Sequence, residues 1–173
     1  LLKVHSKMGK ELESLADMVT FGVLPGIIAF QMLTALTRTY WVPYIAFFIV
    51  IFSALRLAKF NIDENQSDSF IGLPTPANAL FISSLLFLDV TWLSLPVMIG
   101  LVVLFSFLLI APLKLIALKF KSFQWAGNEL RYIFILVAFI SILLLQEISL
   151  PIIILTYICL SIIKNAFSRE ESG

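Results

Sequence analysis

Charge is what this sequence lacks. Only 13% of its 173 residues are Asp, Glu, Lys or Arg, against roughly 25% in a soluble domain. Cysteine and histidine are rarer still, with one of each. The lone Cys159 cannot close an intramolecular disulfide, and inside an apolar run it reads as a small hydrophobe. His5 precedes the first apolar segment alone and reads as a solvated or headgroup-facing side chain rather than a metal ligand. A net charge of +1 gives no electrostatic reason to expect nucleic acid. What is present is apolar matter: 60% of residues are hydrophobic and the mean hydropathy is +1.02. A 19.5 kDa chain has too much surface to hide that from water. A soluble enzyme and a disordered tail are both excluded. The apolar residues come in continuous runs rather than alternating, so the expectation is an integral membrane protein of helices, not a barrel.

Six such runs can be read: Ser14–Thr34, Tyr40–Leu57, Pro76–Leu88, Leu95–Leu113, Arg131–Leu145 and Ile148–Ile163. The expected fold class is therefore all-α, a polytopic transmembrane bundle of about six spans. A spanning helix needs about 20 residues, so the third, fifth and sixth must borrow length from their polar flanks. Gln-Glu-Ile-Ser between the last two predicts a tight hairpin. Charge placement orients the bundle. The alternate segments Leu1–Glu13, Arg56–Thr75, Lys114–Arg131 and Lys164–Gly173 hold eleven of the twelve Lys and Arg residues, and Arg38 alone lies on the other side. That asymmetry places the basic segments in the cytoplasm. Thr75-Pro76 predicts an N-cap and first helical position, and Asn128-Glu129 another helix start. Pro25 predicts a kink in the first span. Gly22 and Gly26, four apart, suit a close helix crossing, within the chain or between subunits.

The segment with chemistry is Gly9-Lys-Glu-Leu-Glu13-Ser-Leu-Ala-Asp17. Residues 9, 13 and 17 fall on one helical face. Carboxylates one turn apart repel, more so beside a membrane. A shared hard cation such as Mg²⁺ or Mn²⁺ would relieve that repulsion, and Gly9 would let a ligand approach the backbone. A solvated amphipathic helix start satisfies the same spacing, and Glu11, on another face, fits that description.

Gly-x-x-x-Glu-x-x-x-Asp resembles the second half of the motif of the CDP-alcohol phosphatidyltransferases, D-x-x-D-G-x-x-A-R followed after seven or eight residues by G-x-x-x-D-x-x-x-D. Eight residues, Leu1 to Met8, precede Gly9 here. The resemblance thus implies a single integral-membrane domain over 1–173 that lacks its N-terminal helix or helices and the first half-motif, with an Arg expected immediately upstream of Leu1. The stretch Gly9–Pro25, the segments Arg56-Leu-Ala-Lys-Phe-Asn61 and Phe70-Ile-Gly-Leu-Pro-Thr-Pro-Ala77, and Leu118-Lys-Phe-Lys-Ser-Phe123 resemble the phosphatidylserine synthase branch, chiefly of bacteria. One departure is Glu13 where the family has Asp, which sets that carboxylate one methylene further out.

The resemblance implies transfer of a phosphatidyl group from CDP-diacylglycerol to L-serine, giving phosphatidylserine and CMP, in phospholipid biosynthesis. It implies a divalent metal, Mg²⁺ or Mn²⁺, held by Glu13 and Asp17 with two acids of the missing half, and Asp17 as the catalytic general base. Gly9, Arg56, Lys59 and Asn61 become the substrate-binding candidates. Arg56 and Lys59, three apart at the cytoplasmic end of the second span, suit a phosphate or the serine carboxylate, or plain positive-inside flanking with snorkelling side chains. Phe70–Pro76 is either a loop closing over the acceptor or a connector. Lys119, Phe120, Lys121, Phe123 and Trp125 read as interfacial anchors. The remaining expectations are a cytoplasmic-membrane location with the site facing the cytoplasm, the lipid bilayer as partner, no nucleic acid, and a homodimer. The alternatives are a different acceptor alcohol (glycerol phosphate or inositol phosphate) and a small transporter, against which stands the lack of any mid-span charge.

Overall fold

Seven α-helices organise the chain in its computed structural model, which describes residues 7–62, 70–88, 92–115, 124–125 and 128–170. They are α1 (Lys7–Met18), α2 (Leu24–Leu36), α3 (Phe47–Ile62), α4 (Thr75–Ser84), α5 (Leu95–Ile110), α6 (Glu129–Leu145) and α7 (Ser149–Glu170). His5, Lys119, Phe120, Lys121, Phe123 and the segment upstream of Lys7 lie outside the described residues.

The first apolar run and the acidic stripe before it form one continuous helix. Between α1 and α2 the chain widens into a single π turn, Val19–Val23, where the Leu24 N–H reaches back to the Val19 carbonyl. Pro25 explains the widening. Its ring has no N–H and crowds the carbonyl one turn earlier, and a π turn accommodates the mismatch without ending the helix. The expected kink is thus delivered as a bulge on the N-terminal side of the proline.

Gly22 and Gly26 are both buried and make the contact that lets α3 approach this bulge. A Cβ on Gly22 would sit 3.1 Å from the Ser53 Cβ, and one on Gly26 would sit 2.6 Å from Val50 Cγ2. Of the two uses open to this pair, the structure takes the one inside the chain.

The core is built from α2, α3, α4 and α5, with α7 packed on α4 and α6 outermost on α7. Ala29, Leu33, Ile49, Ile82, Met98 and Val102 are fully enclosed there. Phe81 of α4 stacks on Phe105 of α5 with ring centroids 3.7 Å apart. By contrast α6 buries only Ser141, and Leu136, Phe139, Leu143 and Leu144 face outward. An outer surface so apolar is at rest in lipid, not water.

The expected all-α class holds. The only strands among the described residues form a two-residue antiparallel ladder, β1 (Phe70–Ile71) with β2 (Lys114–Leu115), pairing Phe70 with Leu115 and Ile71 with Lys114. Two helical stretches are long and apolar enough to cross a membrane, Met8–Leu36 and Val42–Ile62; Thr75–Phe87, Leu95–Ile110 and Ser149–Lys164 are apolar but shorter. At 1.5 Å per residue, the 16-residue α5 covers about 24 Å of a hydrocarbon core of about 30 Å.

Boundaries moved for local reasons. α5 stops at Ile110 because Ala111 precedes Pro112 and is extended. α4 starts at Thr75, with Pro74 rather than Thr75 in the cap position. Asn128 holds the N-cap position of α6 without a side-chain bond to the first helical N–H groups; its Oδ1 accepts from the Arg131 side chain instead. The hairpin between α6 and α7 is a short 3₁₀ turn, Gln146–Ile148, with Gln146 at φ 47°.

Candidate active site

The acidic stripe stands on α1, where Gly9, Glu13 and Asp17 follow one another on consecutive turns. The opposite side of the same helix packs on α3. Glu11, Ser14, Leu15 and Met18 line a shallow groove of about 190 Å³ with Ala54, Leu57, Ala58 and Asn61. At 100° per residue, positions 9, 13 and 17 lie about 110° to 170° round the axis from that groove. Glu13 is exposed, and Asp17 is half-buried where α1 runs into the π turn. Among the described residues neither carboxylate has a hydrogen-bond or ion-pair partner, and no third Asp, Glu, His or Cys joins them in a metal-sized group. Two unengaged hard oxygen donors one turn apart fit part of the coordination shell of a divalent cation. They do not complete it.

Asn61 fixes the pose of α1. Its Nδ2 donates to Ser14 Oγ at 2.9 Å, Ser14 Oγ donates to the Lys10 carbonyl at 3.1 Å, and Lys10 Nζ reaches the Asn61 carbonyl at 3.5 Å. The Asn61 amide thus ties α1 to α3. Lys59 is exposed on the outer side of α3.

Arg56 is different. It is 5% exposed, its Nε has no partner, and no carboxylate among the described residues pairs with it. Among the described residues its directed contact is with the Phe60 ring, whose centroid lies 5.6 Å from Cζ. Its Nε is thus enclosed without a hydrogen-bond acceptor among the described residues, an arrangement that costs free energy. One turn deeper on the same face, Ser53 is fully buried and its Oγ is also unpaired.

Comparison with known proteins identifies the family. The CDP-alcohol phosphatidyltransferase profile matches residues 1–111, which takes in the acidic stripe, Arg56 and the loop before α4. The chain belongs to the CDP-alcohol phosphatidyltransferase family. It is accordingly a transferase, and its apolar helices together with that membership make it a membrane protein. It is 32% identical over 183 residues to a protein of Helicobacter pylori named CDP-diacylglycerol–serine O-phosphatidyltransferase, covering 96% of this chain and 71% of the relative. A Bacillus subtilis protein of the same name is 40% identical over 79 residues, 43% of this chain and 42% of its own. An archaetidylserine synthase of Methanothermobacter thermautotrophicus is 35% identical over 83 residues, 48% of this chain and 34% of its own.

Within this phosphatidyltransferase the segment Phe70–Pro76 is a fastened connector. The Gly72 N–H donates to the Leu113 carbonyl at 2.9 Å and the Leu73 N–H to the Leu108 carbonyl at 2.8 Å. Gly72 itself, at φ +80°, lies so close to the end of α5 that a Cβ would come within 2.4 Å of the Leu109 carbonyl oxygen. The segment therefore positions α4 from its first residue. Trp125 stacks on Tyr132 at 5.4 Å. Sequence reading passed over Ser53 and Asn78. Their signal was a polar side chain on an otherwise apolar face, legible only once the helices are packed.

Proposed function

We propose that this phosphatidyltransferase moves the phosphatidyl group of CDP-diacylglycerol onto L-serine, yielding phosphatidylserine and CMP. The relatives' names support serine as the acceptor. The observation that carries the reading is the buried, anion-less Arg56 at the end of α3, beside the helix that bears two unengaged carboxylates. Such an arrangement suits a substrate pair in which a diphosphate must be bound and a carboxylate-bearing alcohol must be aimed at it.

Glu13 and Asp17 would hold the divalent cation, Mg²⁺ or Mn²⁺, together with two further acids that the family's first half-motif supplies from upstream of Leu1. Bound there, such an ion offsets the charge of the diphosphate and of the departing phosphate. The residues of this chain do the rest. Arg56 fixes an anionic group in a bidentate grip, with Lys59 as a more mobile point charge. Gly9 leaves the diphosphate room against the α1 backbone. Asp17 accepts the serine hydroxyl proton as that oxygen attacks the phosphorus joined to diacylglycerol. The new oxygen–phosphorus bond forms, the bond to the bridging oxygen breaks, and CMP leaves with the electron pair. Asn61 contributes by holding α1 in place, next to whatever substrate contact its carbonyl end makes. The bundle has six spans, works as a homodimer, and sits in the cytoplasmic membrane with α1 and the α3–α4 connection on the cytoplasmic side, where soluble serine meets the lipid headgroup.

The test uses membranes from cells expressing the complete gene. CDP-diacylglycerol is supplied with serine, glycerol 3-phosphate or inositol phosphate, and CMP and labelled lipid are measured. CMP release that depends on serine is expected. Consumption of glycerol 3-phosphate or inositol phosphate with serine ignored would overturn the acceptor assignment, and no CMP with any acceptor would overturn the reaction.

A further inference from the structure

Asn78 is the most anomalous side chain in the bundle. It is 0% exposed, yet neither its Nδ2 nor its Oδ1 has a hydrogen-bond partner. Native interiors pair such groups almost without exception, because an unpaired buried amide loses its hydration for nothing. Asn78 lies in the first turn of α4, directly after the fastened Gly72–Pro74 connector. α4 packs on the π turn Val19–Val23, on which α3 also packs, and α3 and α4 touch each other. The other two buried, unpaired polar groups among the described residues are Ser53 Oγ and Arg56 Nε, both on α3. Ser53 sits against Gly22 of that same π turn. Among the described residues, all of the buried unpaired side-chain atoms therefore lie on α3 and α4, the two helices that pack on the π turn immediately beyond Asp17.

Chance does not explain such a concentration, and core packing does not need it, since a leucine at 78 or an alanine at 53 would fill the space without stranded polar atoms. The combined chemistry is specific. Arg56 offers donors and a positive charge, Ser53 a hydroxyl that donates or accepts, and Asn78 both a donor and an acceptor. A plain phosphate needs only donors. An acceptor oxygen held in the same place has value when the ligand also brings N–H groups, as an ammonium does.

We infer that Asn78 and Ser53, with Arg56, form the receptor for the amino-acid head of the acceptor, Arg56 taking the carboxylate and Asn78 Oδ1 the ammonium. Given serine as the acceptor proposed above, Asn78 is the residue that separates an amino acid from an alcohol that lacks the amine. The π turn has a role here too. It brings the buried Gly22 against Ser53, where an added Cβ would lie 3.1 Å from the Ser53 Cβ.

The experiment measures steady-state kinetics of the complete protein in mixed micelles, varying serine, 3-hydroxypropionate (no amine) and CDP-diacylglycerol separately. Asn78→Leu raises the KM for serine about 30-fold, the worth of a buried hydrogen bond to a charged group. The KM for CDP-diacylglycerol stays the same, and the preference for serine over 3-hydroxypropionate shrinks by a similar factor. Ser53→Ala shifts the serine KM in the same direction by a smaller factor. If Asn78→Leu fails to insert, Asn78→Ala gives the reading instead: it too removes the amide oxygen and again raises the KM for serine alone. An unchanged serine KM in whichever of the two inserts, or a parallel rise for both substrates, would overturn the assignment. Failure of the serine reading itself is visible separately, as wild-type protein that releases no CMP in response to serine.

Discussion

Gly72→Ala should unfasten the α4 connector, and the structure allows the size of the effect to be worked out. At φ +80° an L-residue pays about 1–2 kcal/mol for the left-handed conformation. The added Cβ then meets the Leu109 carbonyl oxygen at 2.4 Å, the Leu109 carbonyl carbon at 3.2 Å and the Ala111 oxygen at 3.3 Å. All three obstacles are backbone, so no rotamer change relieves them. Overpacking of this kind costs about 1–3 kcal/mol. The total is about 2–5 kcal/mol. In a domain of this size each kcal/mol lowers the midpoint by about 2–4 °C, so the fall is about 4–20 °C. The assay is thermal unfolding of detergent-solubilised protein followed by size-exclusion chromatography. A midpoint within a degree of wild type would refute the claim that this connector is pinned to the end of α5. Because Thr75 and Asn78 follow directly, serine turnover should decline at temperatures where the protein is still folded.

Gly26→Ala is the contrasting case. Its obstacle is the Val50 side chain at 2.6 Å, so a loss of about 1–3 kcal/mol should be largely recovered by Val50→Ala in the same chain; no recovery would mean that the crossing is limited elsewhere. Asn61→Leu and Ser14→Ala should each weaken the α1–α3 tie by about 1 kcal/mol, and the double variant should lose less than the sum of the two in the same thermal assay. Chelation of divalent cations should stop CMP release, with Mg²⁺ or Mn²⁺ restoring it; turnover unaffected by chelator would remove the cation from the scheme.

The helices were largely legible because the chain is so apolar that its polar interruptions mark the connections. Long runs such as Leu95–Ile110 and Phe47–Ala58 leave little choice of structure. Hydropathy failed at the ends, where polar residues remain helical. Lys7–Glu13 and Lys59–Ile62 extend α1 and α3 beyond the apolar runs, largely exposed and tied to each other through Lys10, Ser14 and Asn61. The six expected spans include segments that are short as helices, and a hydropathy profile does not register whether a short helix sits deep or near an edge. The acidic face was legible from spacing, as was the position of Arg56. The burial of Arg56 was not, because a cation at the end of an apolar run looks the same whether it snorkels outward or turns inward. Asn78 was invisible for a related reason. It falls inside the apolar run Pro76–Leu88, and only the packing of α4 encloses it.

Asp17 bears the central claim, and replacing it tests that claim most directly. Asp17→Asn, introduced into the complete gene, keeps the size of the side chain and removes its charge and basicity. The measurement is serine-dependent CMP release by the membrane-inserted variant, with insertion and folding checked in the same preparation. The account predicts a folded, inserted protein whose turnover is lost. Release at close to the wild-type rate would contradict it.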